Sequence, residues 1–300
     1  MEDHAALNSN HSTHTNTFND PRLEVHMSWW GMNGLERSAE YSLEQKIEMI
    51  AEAGFDGING FIPSPEDAKR WRKLLERYRL SLSVNAYPKT CNDMAILLKQ
   101  AKQYGAIQHI NVQVMTPFLI DNGAIELLRG IHELSEKAGI PAYIETHRGT
   151  ITQDLLRTVL YVEALEQLRL TIDMSHYVVA GEMHTISNEA EALMQKLLER
   201  TSAIHARVSN GEQVQVDVGP SGEHPMLQHF ERWWSSGMKH WRKAASNGDV
   251  LPFIVELGPP PYAITVDDYG QRRQEINDRW EQSLLFLGTA RRIWSETARV

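Results

Sequence analysis

Four side chains of metal-ligand type, Glu145, Asp173, His205 and Glu256, each stand at or near the end of a short β-rich run. Three carboxylates cannot share one pocket fully ionised without a compensating cation. One divalent metal ion supplies that charge, and oxygen ligands joined by one imidazole suit Mn, Mg, Co, Fe or Zn. For any of these residues alone, a salt bridge or a satisfied buried polar group is the simpler reading; the joint spacing makes the set specific. Other groups surround them. His147 and Arg148, just beyond Glu145, suit a substrate carboxylate or phosphate, and equally a solvated loop. Trp29 and Trp30 follow the first β-rich run and suit either stacking on a sugar face or rim packing.

Those residues need elements that aim them together. Between Pro141 and His176 the sequence reads as strand, helix, strand, with the helix over Thr152–Gln167 and an acidic residue at the end of each strand. Strand side chains alternate faces, so Tyr143, Glu145 and His147 share one face, and Ala142, Ile144 and Thr146 the other. The same unit recurs along the chain. Strands are expected over Leu23–Ser28, Phe55–Gly60, Leu80–Ala86, His109–Met115, Ala142–His147, Arg169–Asp173, Ala203–Val208 and Leu251–Glu256. Helix signals lie between them. Ser42 with Gln45 forms a capping box, Ser64-Pro65 and Thr90 open helices, and Asn122-Gly123 precedes the next. Gly54, Gly105 and Gly139 close helices; Ser187 opens one, His224-Pro225 precedes another, and a last helix runs from about Gln271 to Thr297. Eight βα units over about 250–280 residues fit a closed, single (β/α)8 TIM barrel better than an open sheet.

On the expected strands one face is apolar, as in Val25 and Met27, Leu82 and Val84, Ile110 and Val112, and Phe253 and Val255. The other face turns polar toward the strand ends: His26 and Ser28, Asn59, Ser83 and Asn85, Asn111 and Gln113, Glu145, Asp173, His205 and Arg207, Glu256. A purely structural barrel fills its interior with branched apolar residues, so polar ends converging on one mouth indicate an active site. His26 is included among the candidate substrate contacts. The loop Ser209–His224 is long and polar and suits a lid or a surface excursion. Trp233, Trp234 and Trp241 sit at helical spacing and are expected in packing, and His109 is expected to be structural.

Composition narrows the partners. The chain has 300 residues, 42% of them hydrophobic and 23% charged, and a formal net charge of −9. Without a basic run, that balance argues against gripping nucleic acid. No apolar run approaches the about 18 residues needed to span a bilayer. Residues 1–21 are polar, carry no secretory h-region and read as a disordered tail, with the barrel over 22–300. The single cysteine, Cys91, excludes an internal disulfide and fits a reducing, cytoplasmic setting.

The sequence resembles the xylose isomerase-like TIM barrels, which include sugar epimerases, 3-dehydroshikimate dehydratases and family 2 AP endonucleases. The resemblance runs from about Leu23 to Ala290. It is carried by Glu145 in Tyr-Ile-Glu-Thr-His, Asp173 and His176 in Asp-Met-Ser-His, His205 and Arg207 in His-Ala-Arg, and Glu256 in Ile-Val-Glu-Leu-Gly. It implies that Glu145, Asp173, His205 and Glu256 hold one divalent metal. It also implies that Glu145 and Glu256 act as base and acid on opposite faces of the substrate, and that His176 and Arg207 contact substrate oxygens. The endonuclease members use extra histidines where this chain has Asn59 and Asn85, and His205 departs from the four-carboxylate site of true xylose isomerases. The expected function is therefore a metal-dependent isomerase or epimerase acting on a sugar or related hydroxy-ketone through an enediolate. A lyase or dehydratase is the nearest alternative; a nuclease or hydrolase and a non-catalytic binding barrel follow. The expected partner is a small sugar-like molecule, with no nucleic acid or membrane, and apolar helical rim residues allow a homo-oligomer.

Overall fold

A computed structural model describes residues 20–267 and 273–298. Eight parallel strands close into a barrel in sequence order: β1 (Arg22–Ser28), β2 (Gly57–Gly60), β3 (Ser81–Ala86), β4 (Ile110–Val112), β5 (Ala142–Glu145), β6 (Leu170–Ile172), β7 (Thr201–Ala206) and β8 (Val250–Val255). Closure is made by β1 against β8, with Val25 opposite Phe253 and Met27 opposite Val255. Each strand begins or ends within a few residues of its expected place, and most are shorter: β2 and β3 start later, and β4 and β5 end early where the chain turns out of the mouth.

Helices cover the outside: α1 (Leu43–Glu52), α2 (Ala68–Tyr78), α3 (Cys91–Tyr104), α4 (Asp121–Ala138), α5 (Leu155–Ala164), α6 (Ser175–Ala180), α7 (Asn188–Leu198), α8 (Leu227–Ala244) and α9 (Arg279–Thr297). The capping boxes of Ser42 with Gln45 and Thr90 with Asp93 are both formed, and Ser187 caps α7. Gly139 ends α4 in the left-handed conformation. Several helix starts differ from expectation. Ser64 accepts from the Asp67 amide but closes only a turn, so α2 starts at Ala68. Asn122 and Gly123 lie inside the first turn of α4. The helix expected over Thr152–Gln167 is confined to α5, where Asp154 rather than Thr152 supplies the cap. The expected start of the last helix at Gln271 lies outside the described residues. The described α9 begins at Arg279, capped by Asp278, after a segment bridging Thr265 and Glu275. The tail over 1–19 also lies outside the described residues.

The core lies between the barrel and the helices. Trp234 of α8 packs edge-on to Phe253 of β8 at 5.4 Å and to Phe286 of α9 at 5.6 Å, locking two helices to the closing strand. Trp233 is buried with its Nε1 donating to Glu191, and Trp241 packs on Trp294, so this tryptophan cluster is structural. His109 is buried and stacked on Tyr143 at 5.4 Å.

Candidate metal centre

Glu145 is the last residue of β5, and Asp173 and Glu256 stand one residue beyond β6 and β8. His205 is the penultimate residue of β7, and Arg207 follows that strand. Closure of the barrel brings residues separated by more than a hundred positions to one point. Each of Glu145, Asp173, His205 and Glu256 offers a ligand atom within 4.8 Å of the others, and all four are buried. The sequence-expected set is therefore assembled in space.

Its oxygens are sorted by their neighbours. Glu145 Oε2 accepts from Asn111 Nδ2 at 2.6 Å and Gln113 Nε2 at 2.8 Å, while Oε1 has no hydrogen-bond partner among the described residues. Asp173 Oδ1 accepts from the Ser175 amide at 2.9 Å and Ser175 Oγ at 2.5 Å, leaving Oδ2 without a hydrogen-bond donor. Ser175 opens α6, a short helix absent from the sequence reading, and Thr146 braces the Asp173 backbone at 2.7 Å. His205 Nδ1 lies 3.0 Å from Glu256 Oε2 and 3.4 Å from Glu145 Oε1. Arg207 pairs with Glu256 and reaches Asp173 Oδ2 at 3.3 Å.

The electrostatics follow from burial and proximity. Burial alone would lower the His205 pKa, but Glu256 and Glu145 outweigh it and push His205 up to about 10. Burial alone would raise Glu145, but His205 and the Asn111 amide hold it well below the usual carboxylate range. Asp173 is pushed up by burial, against the opposing Arg207 charge. Burial drives His176 well below its ordinary value, helped by His147 and Arg207. Among the described residues Glu145 Oε1, Asp173 Oδ2 and His205 Nε2 are buried without hydrogen-bond partners, while Glu145 Oε2 and Asp173 Oδ1 are occupied by donors. That set fits a divalent cation, which removes the desolvation penalty that acceptor-only atoms otherwise carry.

Beside this set, His176 Nε2 is 3.5 Å from Asp173 Oδ2, and neither of its ring nitrogens has a hydrogen-bond partner among the described residues. The His147 ring lies 3.8 Å from that of His176, and the two also group with Glu145 within ligand distance. Because His147 Nδ1 donates to the Arg148 carbonyl at 2.5 Å, Nε2 is left facing Tyr262 Oη at 3.4 Å. Tyr262 is the wall residue the sequence reading did not single out as a contact. Its ring carries Arg207 at 4.6 Å and Arg148 at 5.4 Å, and meets Trp30 edge-on at 5.0 Å. No spacing rule ties Tyr262 to the site; it arrives through the turn after β8.

Two expected contacts lie elsewhere. Trp29 packs edge-on to Trp71 of α2 at 4.9 Å, which is rim packing, while its neighbour Trp30 turns toward Arg207 at 5.8 Å. His26 is wholly buried in a lower interior layer, between Ser81 at 3.1 Å and Ser83 at 3.2 Å, because its strand position is two residues below the mouth. The 209–224 loop is anchored rather than free. Gln215 exchanges two hydrogen bonds with Gly258, and the Val218 amide donates to Gln282.

No protein-family model and no curated protein sequence matches this chain. Solved structures do. D-psicose 3-epimerase from Clostridium cellulolyticum H10, solved with D-tagatose, superposes with a TM-score of 0.58 at 13% identity, covering 90% of this chain and 99% of that one. A xylose isomerase-like TIM barrel protein from Mycobacterium smegmatis, in complex with magnesium, gives 0.59 at 14% identity, covering 91% and 97%. A probable 3-DHS dehydratase from Bacillus anthracis gives 0.53 at 14% identity, covering 88% and 98%. With the closed barrel and its strand order, these likenesses show that the chain has the xylose isomerase-like TIM-barrel fold.

Proposed function

We propose that this protein is a divalent-metal-dependent isomerase or epimerase of a sugar-like hydroxy-ketone. The observation that carries the reading is the buried set Glu145, Asp173, His205 and Glu256, in which Glu145 Oε1, Asp173 Oδ2 and His205 Nε2 have no hydrogen-bond partner among the described residues. These four residues would hold the ion, which supplies Lewis-acid stabilisation of negative charge developing on a substrate oxygen. Glu145 and Glu256 carry the proton between substrate carbon and enzyme, one as base and the other as acid. Against the opposing effect of burial, His205, His147 and the Asn111 amide keep Glu145 ionised, as a base must be. Arg207, with Nε and Nη1 unpartnered among the described residues, donates to substrate oxygens, and His176, with both ring nitrogens unpartnered among them, donates to or accepts from substrate hydroxyls. Trp30 and Tyr262 form the apolar wall on which a sugar face stacks. The structural likeness to an enzyme crystallised with D-tagatose supports a carbohydrate substrate, and the cysteine usage fits a cytoplasmic setting.

The test begins with elemental analysis of the purified protein, then incubation of keto-sugars in deuterated water. One equivalent of divalent metal, lost in Asp173→Ala, with solvent deuterium entering the substrate carbon at constant carbon skeleton, is the expected result. Loss of water from the substrate would make the protein a dehydratase, as the likeness to the Bacillus anthracis protein allows. Failure to bind metal after reconstitution would refute the reading.

A further inference from the structure

A line of buried polar side chains runs through the barrel interior, where branched apolar residues ordinarily stand. It starts at Glu145. Asn111 Nδ2 donates to Glu145 Oε2 at 2.6 Å and to Asn85 Oδ1 at 3.0 Å. Asn85 Nδ2 donates to Asn59 Oδ1 at 2.9 Å, and Asn59 Nδ2 to Ser83 Oγ at 3.1 Å. Ser83 lies 3.2 Å from His26 Nδ1, His26 Nε2 lies 3.1 Å from Ser81 Oγ, and Ser81 donates to Glu24 Oε2 at 2.7 Å. The chain of contacts thus connects a carboxylate at the opposite end of the barrel to the candidate metal ligand, stepping across β1, β2, β3, β4 and β5.

The direction of each bond is set by the ends. Carboxylates only accept, so a line joining two of them must contain one group that donates both ways. Asn111 is that group: both its amide hydrogens are used, and its own Oδ1 is buried without a partner among the described residues. Every later donation runs toward Glu24. Ser81 spends its one hydrogen on Glu24, so it accepts from His26 Nε2, and a ring with its hydrogen there accepts at Nδ1 from Ser83. Turning over the Asn85 amide would set donor against donor at Asn111 and acceptor against acceptor at Asn59. Gly57 makes the crossing possible, because a Cβ there would stand 2.5 Å from Ser81 Oγ and 2.6 Å from His26 Nε2.

We infer that this ladder fixes which oxygen of Glu145 faces the metal, so that Asn85 and Asn59, which touch neither Glu145 nor the other candidate ligands, act as positioning residues for the site. Amide donation from Asn111, beside that from Gln113, ties down Oε2 and leaves Oε1 without a partner among the described residues, and Asn85 holds Asn111 in the orientation that makes its donation possible. The inference rests on the metal centre proposed above.

The test measures Mn2+ affinity of the metal-stripped full-length protein, alongside thermal melting of the metal-free form. Replacing a partner of a metal ligand costs about 10–100-fold in affinity, and Asn85→Leu, one bond further out, is expected near the low end, about tenfold. Asn59→Leu is expected to weaken binding in the same direction, and serves in place of Asn85→Leu if that variant misfolds. Asn85→Asp keeps the acceptor that faces Asn111 but sets acceptor against acceptor at Asn59 and buries a charge, so it is expected to lower the metal-free melting temperature while Mn2+ affinity stays close to wild type. Neither leucine variant is expected to lower the metal-free melting temperature in proportion. Unchanged Mn2+ affinity in the leucine variants overturns the inference. So does an affinity loss that simply tracks melting temperature across all three, which assigns the ladder a structural role alone. Absence of Mn2+ binding by the wild type refutes the proposed metal centre itself, and the ladder's role with it.

Discussion

Replacing Arg207 by methionine tests the charge balance of the mouth. The guanidinium is 1% exposed, pairs with Glu256, and stands 3.3 Å from Asp173 Oδ2. Without metal, Arg207 and His205 are the cations that face three buried carboxylates, and Arg207 is the group opposing the burial-driven rise of Asp173. Methionine fills much of the volume between Trp30 and Tyr262 but leaves Asp173 and Glu256 short of a counter-charge. Breaking a buried pair by removing one partner costs about 3–5 kcal/mol. At roughly 2–4 °C per kcal/mol for a large domain, the metal-free melting temperature should fall by about 6–20 °C. Saturating Mn2+ supplies the missing charge, so the gap between variant and wild type should narrow when both are loaded. Arg207→Lys keeps the charge but loses the planar stacking on Tyr262, and should fall between the two. Melting followed by fluorescence or calorimetry, with and without metal, reads all three. A metal-free loss under about 3 °C, half the smallest value worked above, would refute the reasoning, as would a gap that metal leaves unchanged.

Three further outcomes rest on the same geometry. Gly57→Ala forces a methyl group against His26 and Ser81; overpacking of a filled interior costs about 1–3 kcal/mol, visible as a lowered denaturant midpoint, and an unchanged midpoint would refute the crossing. His205 has its folded value raised to about 10 from an ordinary 6.5, so its contribution is fully present below about pH 6.5 and is lost as pH rises through about 10. Metal-free stability should therefore decline from about pH 7 to pH 10, and His205→Gln should flatten that slope; equal slopes would count against the pairing with Glu256 and Glu145. Trp29→Ala should lower stability through its lost packing on Trp71, while Trp30→Ala should mainly weaken substrate binding, seen as a raised KM; the reverse assignment would exchange their roles.

Much of this molecule is legible in one dimension. Alternation on the strands, helix caps such as Ser42 and Thr90, and the recurrence of the βα unit give the barrel, because each rests on contacts within a few residues. The candidate ligand set Glu145, Asp173, His205 and Glu256 is legible once the barrel is, because barrel geometry places every inward strand end at one mouth. Helix starts at Ala68, Leu155 and Arg279 were less legible, since a proline or serine suited to a cap also suits a turn, and tertiary packing chooses between them.

What only the folded chain decides is depth and partnership. Both His26 and His205 are inward histidines on strands, yet one lies in a lower layer between serines and the other among carboxylates. Trp29 and Trp30 are neighbours in sequence and face different surroundings. Tyr262 joins the site from a turn with no periodic signature, and the direction of the asparagine ladder emerges only when its two carboxylate ends are seen to be connected. The pattern of residue types determines which face a side chain takes, because that is a local property of the backbone. Stagger between strands and the path of the loops determine what it meets there, and those are properties of the closed barrel as a whole.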